Sequence, residues 1–180
     1  MSNQQEVEVS YDVSNDFFRL WLDEKMNYTC ALYEGTDNLE EAQMNKLHWL
    51  NEKANVGPDT RLLDIGCGWG ANIEYAATQR NAKEAFGITL SRAQHEEAMR
   101  RKEEYGIDNM DAIVTDYRDF APEEKFDAVI SICMMEHIAR PEEARDGDHL
   151  DLYRDYFKRV WEWTNPGAMF GLQTILRDKV

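Results

Sequence analysis

The chain has 180 residues, 43% hydrophobic and 11% aromatic, enough for one compact domain with a sizeable core and unlike a disordered chain. Thirty-five acidic residues against 20 Lys plus Arg give a net charge of −15, which argues against a nucleic-acid partner and against attachment to anionic lipid. No apolar run reaches the roughly 18 residues of a membrane span, and the polar start MSNQQEVEVSYD reads as neither a signal nor a transit sequence, so no stable membrane insertion is expected.

In chain order, residues 15–22 (NDFFRLWL) read as a short helix whose aromatic face covers something apolar. After an irregular stretch, Leu39, Ala42, Gln43, Leu47, Leu50 and Ala54 recur at helical spacing, with Asn38 as N-cap and Gly57-Pro58 as the stop. Strands then alternate with helices. Strands are expected over 61–65, 84–88, 112–114, 126–132 and 168–175, and helices over 70–80, 91–105 and near 150–164. Asn165-Pro166-Gly167 reads as a turn, and the acidic run PEEARDGDHLD as a solvated surface loop without metal-ligand spacing. Such alternation implies a doubly wound, mostly parallel sheet with helices on both faces. An N-terminal helical cap (1–56) would precede the core (57–180). Cys30, Cys67 and Cys133 lack CxxC spacing and cannot pair completely, which suits a reduced, cytoplasmic protein.

The sharpest local signal is LLDIGCGWG at 62–70, an apolar strand running into three alternate glycines and a helix. Gly66 and Gly68 let a ligand approach the main chain closely, but the spacing is not the G-x-G-x-x-G of dinucleotide binders. Asp64 just ahead of the loop suits a ligand carrying an amino group and a sulfonium better than a pyrophosphate. Thr89, with Gln94 a turn later, stands where such folds bind a ribose. Asp116 and Tyr117 follow the third strand as a carboxylate beside an aromatic, suited to an adenine amino group and face.

With these pieces the chain resembles the cyclopropane-fatty-acyl-phospholipid synthases and their relatives. The resemblance rests on YDVSNDFFRLWLD (11–23), MNYTCALYE (26–34), LEEAQMNKL (39–47), LLDIGCGWG (62–70), GITLSRAQ (87–94) and MEHI (135–138). It implies a Rossmann-like class I methyltransferase fold using S-adenosylmethionine, with S-adenosylhomocysteine as product. Tyr28 and Thr29 would then contact the methionine end of the cofactor, Gly66 and Gly68 the loop side, Thr89 and Gln94 the ribose, and Asp116 and Tyr117 the adenine. Cys30, Glu136 and His137 would lie at the reacting centre, where the family holds a bicarbonate ion as base.

The chain departs from the lipid synthases in three ways. Gln173 stands where they carry a histidine, the acidic insert is extra, and the substrate-covering C-terminal part, with its strands, is expected to lie outside these 180 residues. These departures favour methylation of a small hydrophobic molecule at an alkene or other electron-rich carbon. Alternatives are a lipid cyclopropane synthase, a small-amine N-methyltransferase and a non-catalytic cofactor-binding subunit. The open edge of the fifth strand invites a homo-oligomer or a second chain to cover it.

Overall fold

The structure is a computed structural model that describes residues 14–175; Tyr11, Asp12 and Val13 of the first family stretch lie outside the described residues. The elements are α1 (Asn15–Arg19), α2 (Leu39–Lys53), β1 (Arg61–Ile65), α3 (Ala71–Gln79), β2 (Glu84–Thr89), α4 (Arg92–Tyr105), β3 (Met110–Val114), β4 (Phe126–Ile132), α5 (Pro141–Asp146), α6 (His149–Trp163) and β5 (Thr164–Gln173). A 3-10 turn over Met135–His137 follows β4.

All five strands are parallel, in the order β3-β2-β1-β4-β5. The alternation of side chains along each strand divides the core in two. Leu62, Ala85, Ala112, Ala128 and Ile130 meet Leu50 of α2 and Ala54 at its C-cap, Ile73, Ala76 and Ala77 of α3, and Ala98 of α4. The many alanines on that face let three helices lie close to the sheet. Leu63, Ile65, Ile88 and Val129 point the other way, against Tyr156, Val160 and Trp163 of α6.

Three local expectations are corrected. Asn165-Pro166-Gly167 is not a turn before β5 but an irregularity inside it: Phe126 pairs with Thr164 and Ala128 with Met169, so two steps of β4 face five of β5. Proline and a glycine at φ 87° suit that bulge, which needs no ladder donor and a left-handed residue. The acidic run is not a plain loop either, because α5 forms within it: Pro141 opens the helix and Glu143 accepts from the Arg140 N–H at 2.7 Å. The apolar face of the first segment is narrower than expected: Phe18 is buried against Met26 and Trp69, while Phe17, Leu20 and Trp21 are largely exposed.

Gly70 shows why the third loop glycine is there. Its φ is +87°, and a Cβ would stand 2.8 Å from the Ala98 Cβ and 3.1 Å from Met110 Cε, so α3 starts in contact with α4 and β3. Gly70→Ala combines left-handed strain with overpacking, and a loss of roughly 2–4 kcal/mol is expected, read as a lower denaturant midpoint at unchanged slope.

Candidate functional site

At the carboxyl ends of the strands, where the sheet order reverses between β1 and β4, lies a cavity of about 720 Å³. Every site residue singled out from the sequence lines it: Tyr28, Thr29 and Cys30 from the segment before α2; Asp64, Gly66 and Gly68 from β1 and its loop; Thr89 and Gln94 after β2; Asp116 and Tyr117 after β3; Glu136 and His137 after β4.

The loop after β1 is tied down by the neighbouring strand, since the N–H groups of Gly66 and Cys67 both donate to the Ile88 carbonyl at 2.9 and 3.0 Å. Gly68 has φ +55° and open space where a Cβ would stand. Asp64 is fully buried. Its Oδ2 accepts from Asn72 Nδ2 at 3.1 Å, and its Oδ1 has no hydrogen-bond partner. Burial raises the Asp64 pKa from 3.8 to about 7, partly offset by the Asn72 hydrogen bond and the charge of Lys46.

Thr89 Oγ1 donates to Gln94 Oε1 at 2.8 Å, and Ser91 caps α4 by accepting from the Gln94 N–H at 3.2 Å, so the two predicted ribose-side groups form one rigid unit. After β3 the arrangement differs from the simplest expectation. Both Asp116 oxygens are engaged by Arg118, through Nε at 2.9 Å and a terminal nitrogen at 2.6 Å. Arg118 thereby fixes the plane of the carboxylate. Tyr117 is buried edge-on against Tyr156, with centroids 5.2 Å apart.

Beyond β4 the chain turns sharply at Cys133, a non-glycine residue with φ 54° whose N–H donates to the Gln173 carbonyl at 2.8 Å. Glu136 then points back: Oε1 accepts from the Ile175 N–H at 2.7 Å, and Oε2 is buried without a partner. The Cys133 thiol beside it is pushed up to about 11, by burial first and by the Glu136 charge second. Gln173 donates to the Cys30 carbonyl at 3.0 Å and makes a long contact to Cys133 Sγ at 4.0 Å, closing β5 onto the cap segment.

Helix α2 holds that segment in place. Gln43 Nε2 donates to the Asn27 and Thr29 carbonyls at 3.2 and 2.9 Å, and Lys46 Nζ donates to Thr29 Oγ1 at 2.5 Å. Desolvation brings the Lys46 pKa down to about 8 against the attraction of Asp23, Cys133, Asp64 and Cys30. From the loop side, Trp69 donates to Asn15 Oδ1 at 2.7 Å and packs on Phe18, while Arg19 of α1 bonds Glu97 of α4 at 2.9 Å.

Sequence reasoning passed over Trp69, Asn72, Arg118, Cys133 and Lys46. Trp69 sits between two loop glycines and Lys46 four residues after Ala42, on the buried face of α2, so their positions were readable. The Asn72–Asp64 and Arg118–Asp116 bonds depend on tertiary approach and carry no sequence signal. Among the described residues no group of three or more His, Cys, Asp or Glu side chains is placed to hold a metal, and no helix is long and apolar enough to cross a membrane.

The chain matches the family described as mycolic acid cyclopropane synthetase over residues 1–180. It is 40% identical over 139 residues to a probable fatty acid methyltransferase of Pseudomonas putida, covering 76% of this chain and 35% of that protein. It is 38% identical over 165 residues to the cyclopropane-fatty-acyl-phospholipid synthase of Escherichia coli K12, covering 92% and 39%. A crystal structure of the mycolic acid cyclopropane synthase CmaA1, complexed with S-adenosylhomocysteine and CTAB, superposes with a TM-score of 0.80 at 28% identity, covering 92% of this chain and 54% of that one. The chain thus spans about a third to a half of the length of these proteins.

Proposed function

The chain belongs to the mycolic acid cyclopropane synthetase family, and we propose that it binds S-adenosylmethionine and methylates an electron-rich carbon of a small hydrophobic acceptor. One observation carries this reading. The cavity is lined by a buried carboxylate, Asp64, with one oxygen lacking a partner. A buried carboxylate oxygen without a partner is costly unless a cation meets it, and a ligand with an ammonium supplies one. The relative crystallised with S-adenosylhomocysteine supports the same choice.

When bound, the cofactor supplies an electrophilic methyl group on a positively charged sulfur. Asp64 would take its ammonium, the Thr89–Gln94 unit its ribose, and Asp116 with Tyr117 its adenine. Tyr28 and Thr29, stapled by Gln43 and Lys46, would bound the methionine end and exclude water. At the far end Glu136 faces the acceptor. Attack by an alkene leaves positive charge on carbon, which the Glu136 carboxylate and the Tyr28 ring would stabilise until a neighbouring C–H passes its proton to that carboxylate.

Bicarbonate is not part of this reading. Gln173, at the position where the resemblance places a histidine, has its amide N–H groups directed at the Cys30 carbonyl and Cys133 Sγ, so the donor that would hold the anion is engaged. The Escherichia coli relative favours a second reading, cyclopropane formation on a lipid chain. Mass spectrometry of the acceptor separates the two: a methyl branch supports the first, a ring closed by loss of a proton the second.

Gly68→Val tests the placement. No atom lies within 4 Å of the added Cβ, so the fold should lose only about 1–2 kcal/mol from the left-handed backbone. The side chain would project into ligand space, and calorimetry should show S-adenosylhomocysteine affinity falling at least about tenfold. Unchanged affinity in a folded variant would put the cofactor elsewhere. The wild type should show no affinity for NAD.

A further inference from the structure

A string of buried amides runs from α2 to Asp64, and its direction is fixed. Asn51 Nδ2 donates to the Leu47 carbonyl at 2.9 Å, and a carbonyl can only accept. The same Nδ2 donates to Asn72 Oδ1 at 2.7 Å, so Asn72 turns its own Nδ2 towards Asp64 Oδ2 at 3.1 Å. All three side chains are buried: Asn51 is 0%, Asp64 2% and Asn72 4% exposed. A donor aimed at a carboxylate favours its ionised form and occupies one oxygen, leaving Oδ1 as the oxygen without a partner on a residue that lines the cavity.

We propose that Asn72, oriented by Asn51, is a positioning residue that favours the ionised form of Asp64 and presents Oδ1 to the cofactor's ammonium group, making cofactor affinity depend on pH near neutrality. The inference rests on the proposed cofactor. The titratable groups around Asp64 are Lys46 on α2, whose charge favours the anion, Cys67 in the glycine loop and Tyr156 on α6. Burial pushes the thiol and the phenol up, so both stay neutral through the relevant range. Asp64, brought to about 7 by desolvation, titrates there, and Lys46, brought down to about 8, loses its charge only at the upper end of the range. The ammonium binds the anion, so affinity rises with pH and levels off above about 7.

The test is calorimetry of S-adenosylhomocysteine, and of its analogue with the amino group replaced by hydrogen, from about pH 5.5 to 8.5. Wild type and Asn72→Leu are compared, with thermal melts as a check of folding. Wild type should bind S-adenosylhomocysteine more tightly as pH rises and the analogue equally at all pH. Asn72→Leu should lose about fivefold for S-adenosylhomocysteine at pH 7, with its midpoint moved to higher pH, and nothing for the analogue. If Asn72→Leu does not fold, Asn72→Ser, which shortens the donor, makes the same comparison. An equal loss for both ligands would make Asn72 merely structural and overturn the proposal. So would a pH-independent wild-type affinity, which would leave the cofactor assignment standing. Wild type that binds neither ligand would overturn both.

Discussion

Asp64→Asn is expected to stabilise the ligand-free protein at pH 8 and to weaken its hold on S-adenosylhomocysteine at the same time. The folded chain keeps a proton on Asp64 up to about pH 7, whereas the ordinary value is 3.8. Between those values the folded state binds more protons than the unfolded one, so stability falls as pH rises through the window and the loss is complete above it. The full span corresponds to roughly 4 kcal/mol at pH 8, and to almost nothing at pH 4. Asparagine has nearly the same shape, can still accept from Asn72 through its amide oxygen and never ionises, so it removes this cost. It also removes the charge offered to the ammonium. Losing a charge-assisted hydrogen bond of about 1.5–3 kcal/mol weakens binding by about 10- to 150-fold. Urea melts at the two pH values and calorimetry at pH 8 read both effects. A variant no more stable than wild type at pH 8 would show that Asp64 carries no buried-charge cost. Unchanged binding would remove it from the cofactor site.

The fold was legible because its signals are local and repeated. The run 61–65, the three alternate glycines and the apolar block 126–132 are each short, but their alternation with helical stretches leaves few topologies other than a parallel sheet. The candidate site was legible for the same reason: parallel strands deliver their carboxyl ends to one edge, so whatever follows each strand meets whatever follows the others. Asp64, Thr89, Asp116 and Glu136, separated widely in sequence, therefore line one cavity.

What stayed hidden lies between elements. Lys46 and Asn51 look like the polar face of α2, yet both are buried, at 4% and 0% exposed, because α2 packs between the sheet and the segment before it. No periodicity distinguishes an asparagine that faces water from one that bonds Asn72. The bulge at Asn165-Pro166-Gly167 misleads for a related reason. Its composition is that of a turn, and only pairing with β4 shows the chain resuming the same strand. Arg118 on Asp116 is a third case, since two charges two residues apart pair only when the backbone between them curls, as the Arg118 N–H donation to Asp116 Oδ1 at 2.9 Å shows.

Glu136→Gln should spare the cofactor and slow the chemistry. The substitution keeps the length of the side chain, and the glutamine oxygen can still accept the Ile175 N–H that Glu136 Oε1 accepts at 2.7 Å, so the end of β5 stays in place. The other oxygen is the one that matters. Oε2 is shielded from solvent, and the carboxylate lies close enough to the Cys133 thiol for its charge to help push that thiol up. In the ground state a neutral alkene has little use for that charge; in the transition state a carbocation does, and the interaction therefore lowers the barrier instead of merely tightening binding. Removing one such preorganised group costs about 10²- to 10³-fold in kcat. KM for the acceptor and affinity for S-adenosylhomocysteine should stay within about twofold, because neither ground state bears the charge that Glu136 meets. The measurement is single-turnover methyl transfer from labelled S-adenosylmethionine, compared with calorimetry of S-adenosylhomocysteine. A fall in affinity as large as the fall in rate would place Glu136 in the cofactor's own binding site. A rate equal to wild type would leave Glu136 only the task of anchoring Ile175.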